Sequence, residues 1–252
     1  MKEKMLEMIP PRAYMELKWW DYRIRNRRSY RTMQARRARV TDADYSYKPF
    51  DDTRSLFIHI PKCAGVSVCR ALYGNLAGGH TTLDQYLEAF EPRLIERYFK
   101  FTIVRNPWDR LVSAYFFLQA GGFGDRDAQW FDRELRGYAD FDDFVKRWLS
   151  PANIWKWHHF KPQHHFMRDK RRKIDLDFIG LFENLAEDFA HIARRVGVPA
   201  TLRSTNPSRH RDYRDYYSDE TREIVAMVYA EDIALLGYDF DNANLAGQLA
   251  AR

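Results

Sequence analysis

Two stretches of the chain carry residue types suited to an anion. The first, Ile60-Pro61-Lys62-Cys63-Ala64-Gly65-Val66-Ser67, joins a short apolar run to the start of a helical pattern. Backbone amides at such a turn aim at a bound anion, and the positive end of the helix dipole adds to them. Gly65 allows close approach of backbone and ligand. Lys62 supplies a mobile positive charge for a bridging or terminal oxygen, and Ser67 a hydroxyl from the first turn. The Walker pattern G-x-x-x-x-G-K-[ST] is absent, so the likeness to a phosphate-binding loop is one of physics and not of letters. The second stretch runs from Phe101 to Tyr115. It puts Arg105 at a strand end and Ser113 about two turns into the next helix. A guanidinium with a hydroxyl suits a terminal phosphate, although Ser113 alone is equally a small residue at a helix contact.

Group transfer to a hydroxyl also needs a proton acceptor, and a histidine or a carboxylate serves. Eight histidines are present. His80 follows Gly78-Gly79 and precedes a helical run at Thr82, between the two anion-binding stretches. His59 lies inside the first strand and reads as structural. His158, His159, His164 and His165 have no carboxylate or cysteine at ligand spacing, so no metal site is assigned to them. Glu183, at the end of a later strand, is the second candidate base or else a buried hydrogen-bonding partner.

Those residues need a scaffold. Ser55–Ile60 and Phe99–Val104 read as strands from their apolar, β-branched and aromatic content, and Asp177–Phe182 as a third. Helical patterns follow each one: from Gly65 to Leu76, from Leu83 to Tyr98 with Pro92 opening a second piece, from Pro107 to Gln119, and from Asn184 to Val196. Asn106 caps the third of these with Pro107 at its first position, and Gly197 closes the last. Residues 123–150 read as polar and then helical over 141–149, and 219–236 as one final helix. Strands alternating with helices imply an α/β fold whose parallel sheet binds ligands at its carboxyl end.

The two anion-binding stretches resemble the donor motifs of the sulfotransferase superfamily, in the branch of the Golgi carbohydrate sulfotransferases and their bacterial relatives. HIPKCAGVS is similar to the family's 5′-phosphosulfate loop, and VRNPWDRLVSAY to its 3′-phosphate motif. The segments His159–Gln163, Phe178–Leu185, Asn206–Tyr217 and Asp232–Phe240 are similar to later parts of the family. The resemblance implies a P-loop-NTPase-like parallel sheet flanked by helices, preceded here by a helical arm. It implies 3′-phosphoadenosine 5′-phosphosulfate as donor, with no metal required, and a hydroxyl acceptor on a saccharide or glycoconjugate. By the same resemblance Lys62 to Ser67 contact the phosphosulfate, Cys63, Ala64, Gly65 and Val66 lying between them. Arg105 and Ser113 take the 3′-phosphate, and His80 is the base. Val66 departs from the family, which often has threonine there. A late loop closes over the donor in the superfamily, and the basic run with Arg209 and Arg211 matches it. Recruiting an anionic acceptor is the other reading of that run. A nucleotide-dependent kinase and a non-catalytic binding protein on the same fold are the alternative functions. No Mg²⁺-binding carboxylate follows a strand, which disfavours the first; the intact Lys62, Arg105 and Ser113 disfavour the second.

Charge adds one more expectation. Residues 1–40 hold 12 Lys/Arg against four Asp/Glu, while the rest hold 29 against 31. The basic character therefore belongs to the N-terminus, and nucleic acid is not expected as a partner. The division expected is a basic aromatic arm and lead-in over 1–54, a sulfotransferase domain over 55–240 and a tail over 241–252. The arm mixes Trp19, Trp20 and Tyr22 with arginines. This suits helices packing on the domain or on a second subunit, and otherwise a membrane surface or a polyanion. With two cysteines close together and no long apolar run, a cytoplasmic, unanchored protein is expected.

Overall fold

A computed structural model describes residues 6, 8–40, 45–199, 201–202 and 211–251. In chain order its elements are α1 (Pro11–Arg25), α2 (Arg27–Ala38), α3 (Lys48–Thr53), β1 (Ser55–Ile58), α4 (Gly65–Tyr73), α5 (Leu83–Ala89), α6 (Pro92–Ile95), β2 (Phe99–Val104) and α7 (Pro107–Gln119). They continue with α8 (Asp125–Glu134), α9 (Phe141–Arg147), α10 (Gln163–Met167), β3 (Phe178–Leu181), α11 (Leu185–Val196), α12 (Asp219–Val228), α13 (Ala230–Leu236) and α14 (Leu245–Ala250). The chain divides into one unit of residues 1–104 with 165–205 and another of 105–164 with 206–252.

The first unit holds the sheet. Its order is β1-β2-β3, all parallel, with Ile58 opposite Thr102 and Val104 opposite Leu181. The α/β class and flanking helices agree with the fold expected from the sequence. Every residue of β1 is buried, as parallel strands covered by helices require. The Phe57 and Phe101 rings stack at 5.0 Å across the ladder, and the Thr102 hydroxyl donates to the Ile58 carbonyl at 2.7 Å. The second residue of β2 is a buried lysine: Lys100 pairs with Asp177 at 3.3 Å, and that carboxylate also accepts the Lys100 amide at 2.7 Å. α11 lies against β2, β3 and α4. Asp188 joins it to the sheet by accepting the Leu181 amide at 2.6 Å, and Gly197 closes it at φ 76°.

α1 and α2 belong to this same unit. Tyr14, Met15 and Trp19 are buried. Lys18 donates to Asp84 at 2.7 Å and Glu88 at 2.8 Å on α5, and Arg37 forks onto Asp51 at 2.9 and 3.0 Å and reaches Glu91 at 2.9 Å. These pairs are largely withdrawn from solvent, so they fix the arm more firmly than surface pairs would.

The second unit has a helical core built on Trp108, Leu111, Tyr115, Trp130, Phe144, Trp148 and Phe160. Asn106 caps α7 by accepting the Trp108 amide at 3.0 Å. β1 stops at Ile58 and β3 at Leu181, α14 forms in the expected tail, and three further elements differ from expectation. The helix after the first anion loop stops at Tyr73, because Gly74 turns left-handed at φ 71°. α8 forms in a stretch read as polar: its apolar side is only Trp130 and Phe131, set among charges. The last helix is broken at Tyr229, where ψ turns to 23° and the buried hydroxyl donates to the Phe160 carbonyl at 2.7 Å. Among the described residues no helix is long and apolar enough to cross a membrane.

Candidate active site

The first half of the site follows β1. His59, Ile60 and Pro61 stay buried as the strand ends, and the loop then alternates. Pro61, Cys63 and Gly65 are buried, while Lys62, Ala64, Val66 and Ser67 are partly exposed. Lys62 and Ala64 hold positive φ, 70° and 59°, without being glycine. Left-handed residues of this kind are costly, and they gather at ligand-binding turns. They fold the loop back so that α4 opens on Gly65, and no side chain caps that opening. The positive end of the dipole of this nine-residue helix lies at the loop, where an anion is favoured. Cys63 turns inward, its thiol 3.7 Å from the Pro61 carbonyl, so only its backbone belongs to the loop's outer face.

Gly65 has a tenant that sequence reading did not foresee. A Cβ there would fall 1.8 Å from Cδ2 and 1.9 Å from Nε2 of His59. The missing side chain thus makes room for a buried imidazole rather than for a ligand. That ring also stacks on Phe57 at 5.6 Å and lies 4.3 Å from the His80 ring.

His80 itself is partly exposed, at the end of the turn Ala77–His80. Its Nδ1 lies 3.0 Å from the His59 carbonyl oxygen. A carbonyl only accepts, so Nδ1 carries the proton and donates it, and the Nε2 lone pair is the basic one. The turn is held from several sides. The Gly78 amide donates to the Ser46 carbonyl at 3.1 Å, and the Thr81 hydroxyl to the Gly78 carbonyl at 2.5 Å. Gly78 sits at φ 76°, where a Cβ would meet the Tyr86 hydroxyl at 2.2 Å. Thr82 then starts α5 with a capping box to Gln85. Glu183 is partly buried in the turn directly after β3, at the carboxyl end of the sheet.

The second half begins with Arg105, the residue after β2. Its side chain is nearly buried, and Nε and Nη2 fork onto Asp109 at 2.7 and 2.8 Å. Asp109 lies one turn on, so the carboxylate fixes the plane of the guanidinium. The backbone of Arg105 is held separately. Gln163 accepts its amide at 2.9 Å and donates to its carbonyl at 2.8 Å. Asp232 in turn accepts the Gln163 and His164 amides at 2.6 and 2.9 Å, and the His164 ring approaches it at 2.7 Å. Sequence reading missed Asp109 and Asp232 as parts of this arrangement. The i+4 spacing signalled the first, whereas nothing local signals the second. Ser113 is buried on α7.

Arg110, also buried, donates to the His159 and Lys161 carbonyls at 3.1 and 2.8 Å. It shapes the loop carrying His158, whose pKa falls to about 4 through burial first and then through Arg126, Lys161 and Arg110. That imidazole is neutral at ordinary pH. Arg211 is exposed, its guanidinium 5.1 Å from the Tyr216 ring. Arg209 lies outside the described residues.

Comparison with known proteins adds a second line of argument. The family model described as "Sulfotransferase family" matches residues 47–239. An uncharacterized protein of Archaeoglobus fulgidus is 32% identical over 113 residues, covering 44% of this chain and 77% of that protein. Carbohydrate sulfotransferase 14 of Danio rerio is 26% identical over 234 residues, covering 76% of this chain and 62% of that protein. No solved structure matches.

Proposed function

We propose that this chain, which belongs to the sulfotransferase family, moves a sulfuryl group from 3′-phosphoadenosine 5′-phosphosulfate to a hydroxyl of a saccharide or glycoconjugate. The observation that carries the reading is the pairing of two anion devices after neighbouring strands. One is the left-handed turn of Lys62 and Ala64 that opens α4 after β1, and the other is the carboxylate-held Arg105 directly after β2. The similarity to carbohydrate sulfotransferase 14 of Danio rerio supports the acceptor class.

Each residue takes a role that its surroundings fit. The amides of residues 63–67, with the Lys62 ammonium and Ser67 hydroxyl, would cradle the 5′-phosphosulfate. Arg105 and Ser113 would hold the 3′-phosphate, and Arg209 and Arg211 would cover the nucleotide. His80 Nε2 takes the acceptor's hydroxyl proton as the acceptor oxygen bonds to sulfur, with Glu183 as the alternative base. The bond from sulfur to the bridging oxygen breaks, its electron pair stays with the leaving phosphate, and Lys62 offsets the growing charge. Positioning and cationic stabilisation supply most of the acceleration in such a scheme. Both cysteines are buried thiols, which fits a reducing compartment such as the cytoplasm.

Thermal unfolding with adenosine 3′,5′-bisphosphate or with ATP and Mg²⁺ tests the reading. A ligand at about 100 times its Kd adds about 2.7 kcal/mol of stability. The bisphosphate is expected to stabilise the wild type and to lose that effect in Arg105→Ala, whose backbone clamp by Gln163 is intact. Preferential stabilisation by ATP would transfer the chain to the kinase reading.

A further inference from the structure

The helix α1 is apolar on two opposite sides. Tyr14, Met15 and Trp19 are buried within their unit. Leu17, Trp20 and Ile24 point the other way and are 61%, 49% and 60% exposed. Their spacing of three and four places them along one stripe. Single exposed apolar residues need no explanation, but an aromatic and two aliphatics in one helical stripe mark a surface that meets something.

The charge around the stripe says what it meets. Between residues 8 and 40 seven arginines are exposed, against one exposed acid, Asp21, which Arg25 neutralises at 2.6 Å. Arg23 is held with its guanidinium 5.1 Å from both the Trp19 and Trp20 rings. Arg27, Arg28 and Arg31 follow directly on α2, all exposed. A second copy docked on the same face would set these arginines against their own equivalents, since a two-fold contact is self-complementary. An anionic lipid surface complements both features. Acyl chains accept the leucine and isoleucine, the headgroup region suits a tryptophan, and the phosphates face the arginines.

We propose that α1 and α2 bind the protein peripherally to anionic membranes, through Leu17, Trp20 and Ile24 and the flanking arginines. This inference is independent of the transferase reading. The test is flotation of the full chain with vesicles of phosphatidylcholine alone, or of phosphatidylcholine and phosphatidylglycerol in equal parts. Binding is expected only with phosphatidylglycerol, and weaker at high salt. Leu17→Ser and Ile24→Ser should each weaken it roughly tenfold, from the apolar surface they no longer bury. The triple variant Arg27→Ala, Arg28→Ala, Arg31→Ala should weaken it on the order of 100-fold at low salt. These residues are exposed, so unchanged melting temperatures will separate loss of binding from misfolding. No flotation, equal flotation with both vesicles, or variants that float as well as the wild type would overturn the proposal. So would a dimer that Leu17→Ser dissolves in the absence of any vesicle binding.

Discussion

Replacing Gly65 with alanine probes why this turn needs a glycine. The new Cβ would sit 1.8 Å from Cδ2 and 1.9 Å from Nε2 of His59, where carbon contacts are normally about 3.5–4.0 Å. The imidazole would have to retreat by about 2 Å on that count. Phe57 stacks on it at 5.6 Å and the His80 ring is 4.3 Å away. Overpacking of this kind costs about 1–3 kcal/mol. Helix propensity works the other way by less than about 1 kcal/mol. At about 2–4 °C per kcal/mol for a chain of this size, Gly65→Ala should melt about 2–12 °C lower, or somewhat less after the propensity gain. The decisive assay is the double variant His59→Ala with Gly65→Ala. If His59 is the obstacle, the double variant costs no more than His59→Ala alone, and the cycle shows a favourable coupling of about 1–3 kcal/mol. It should also keep its stabilisation by adenosine 3′,5′-bisphosphate, because the His59 carbonyl that anchors His80 is backbone. Additive costs, or a double variant that folds well yet no longer responds to the bisphosphate, would refute the reasoning and return Gly65 to a role in ligand approach.

Other outcomes follow from the same geometry. Gln163→Leu strands the buried amide and carbonyl of Arg105 at about 1–3 kcal/mol each, so melting falls and the bisphosphate binds more weakly even though Arg105 is intact. A Gln163→Leu protein with unchanged bisphosphate affinity would remove the clamp from the argument. His80→Ala should lower kcat about 10²–10⁴-fold in a sulfuryl-transfer assay while leaving the thermal response to bisphosphate intact; unchanged turnover would shift the base to Glu183. His158 has a folded pKa of about 4 against the ordinary histidine value of 6.5. The unfolded chain thus binds more protons between these values, so this part of the stability is present above pH ~6.5 and is lost as pH falls toward ~4. At about 1.36 kcal/mol per pKa unit the loss is at most about 3.4 kcal/mol. Urea titrations of wild type and His158→Gln across that range should differ in slope, and coincident curves would rule the effect out.

The sheet was legible because its strands are dense in apolar and β-branched residues and end at Pro61, Arg105 and Phe182. The α7 cap was legible from Asn106-Pro107 for a local reason: capping needs only neighbours. What escaped depends on distance along the chain. Gln163 and Asp232 are 69 residues apart, and only the folded chain brings the Asp232 carboxylate under the Gln163 amide. The partner of Gly65 escaped for a different reason. A glycine reports that space is required but not who fills it, and the imidazole six residues earlier is as good an answer as a phosphate. The α8 helix was hidden by its low apolar content, since two buried aromatics among charges read as a polar stretch even though they share one side of the helix.

The His80 turn has one more consequence. Its walls are not supplied by the segments next to it in sequence. The Tyr47 hydroxyl meets that of Thr81 at 3.1 Å, Arg36 on α2 donates to Tyr47 at 2.6 Å, and Ser46 receives the Gly78 amide. His80, the proposed base, is therefore braced by the arm. A Tyr47→Phe variant would retain the whole Lys62–Ser67 loop, Arg105 and Ser113, and should still take up the donor. It would lack the hydroxyl that links Arg36 to Thr81 beside His80, so donor binding and turnover would come apart. The boundary that looks natural in the sequence, between a basic preface and the body that follows, runs through the support of the proposed base.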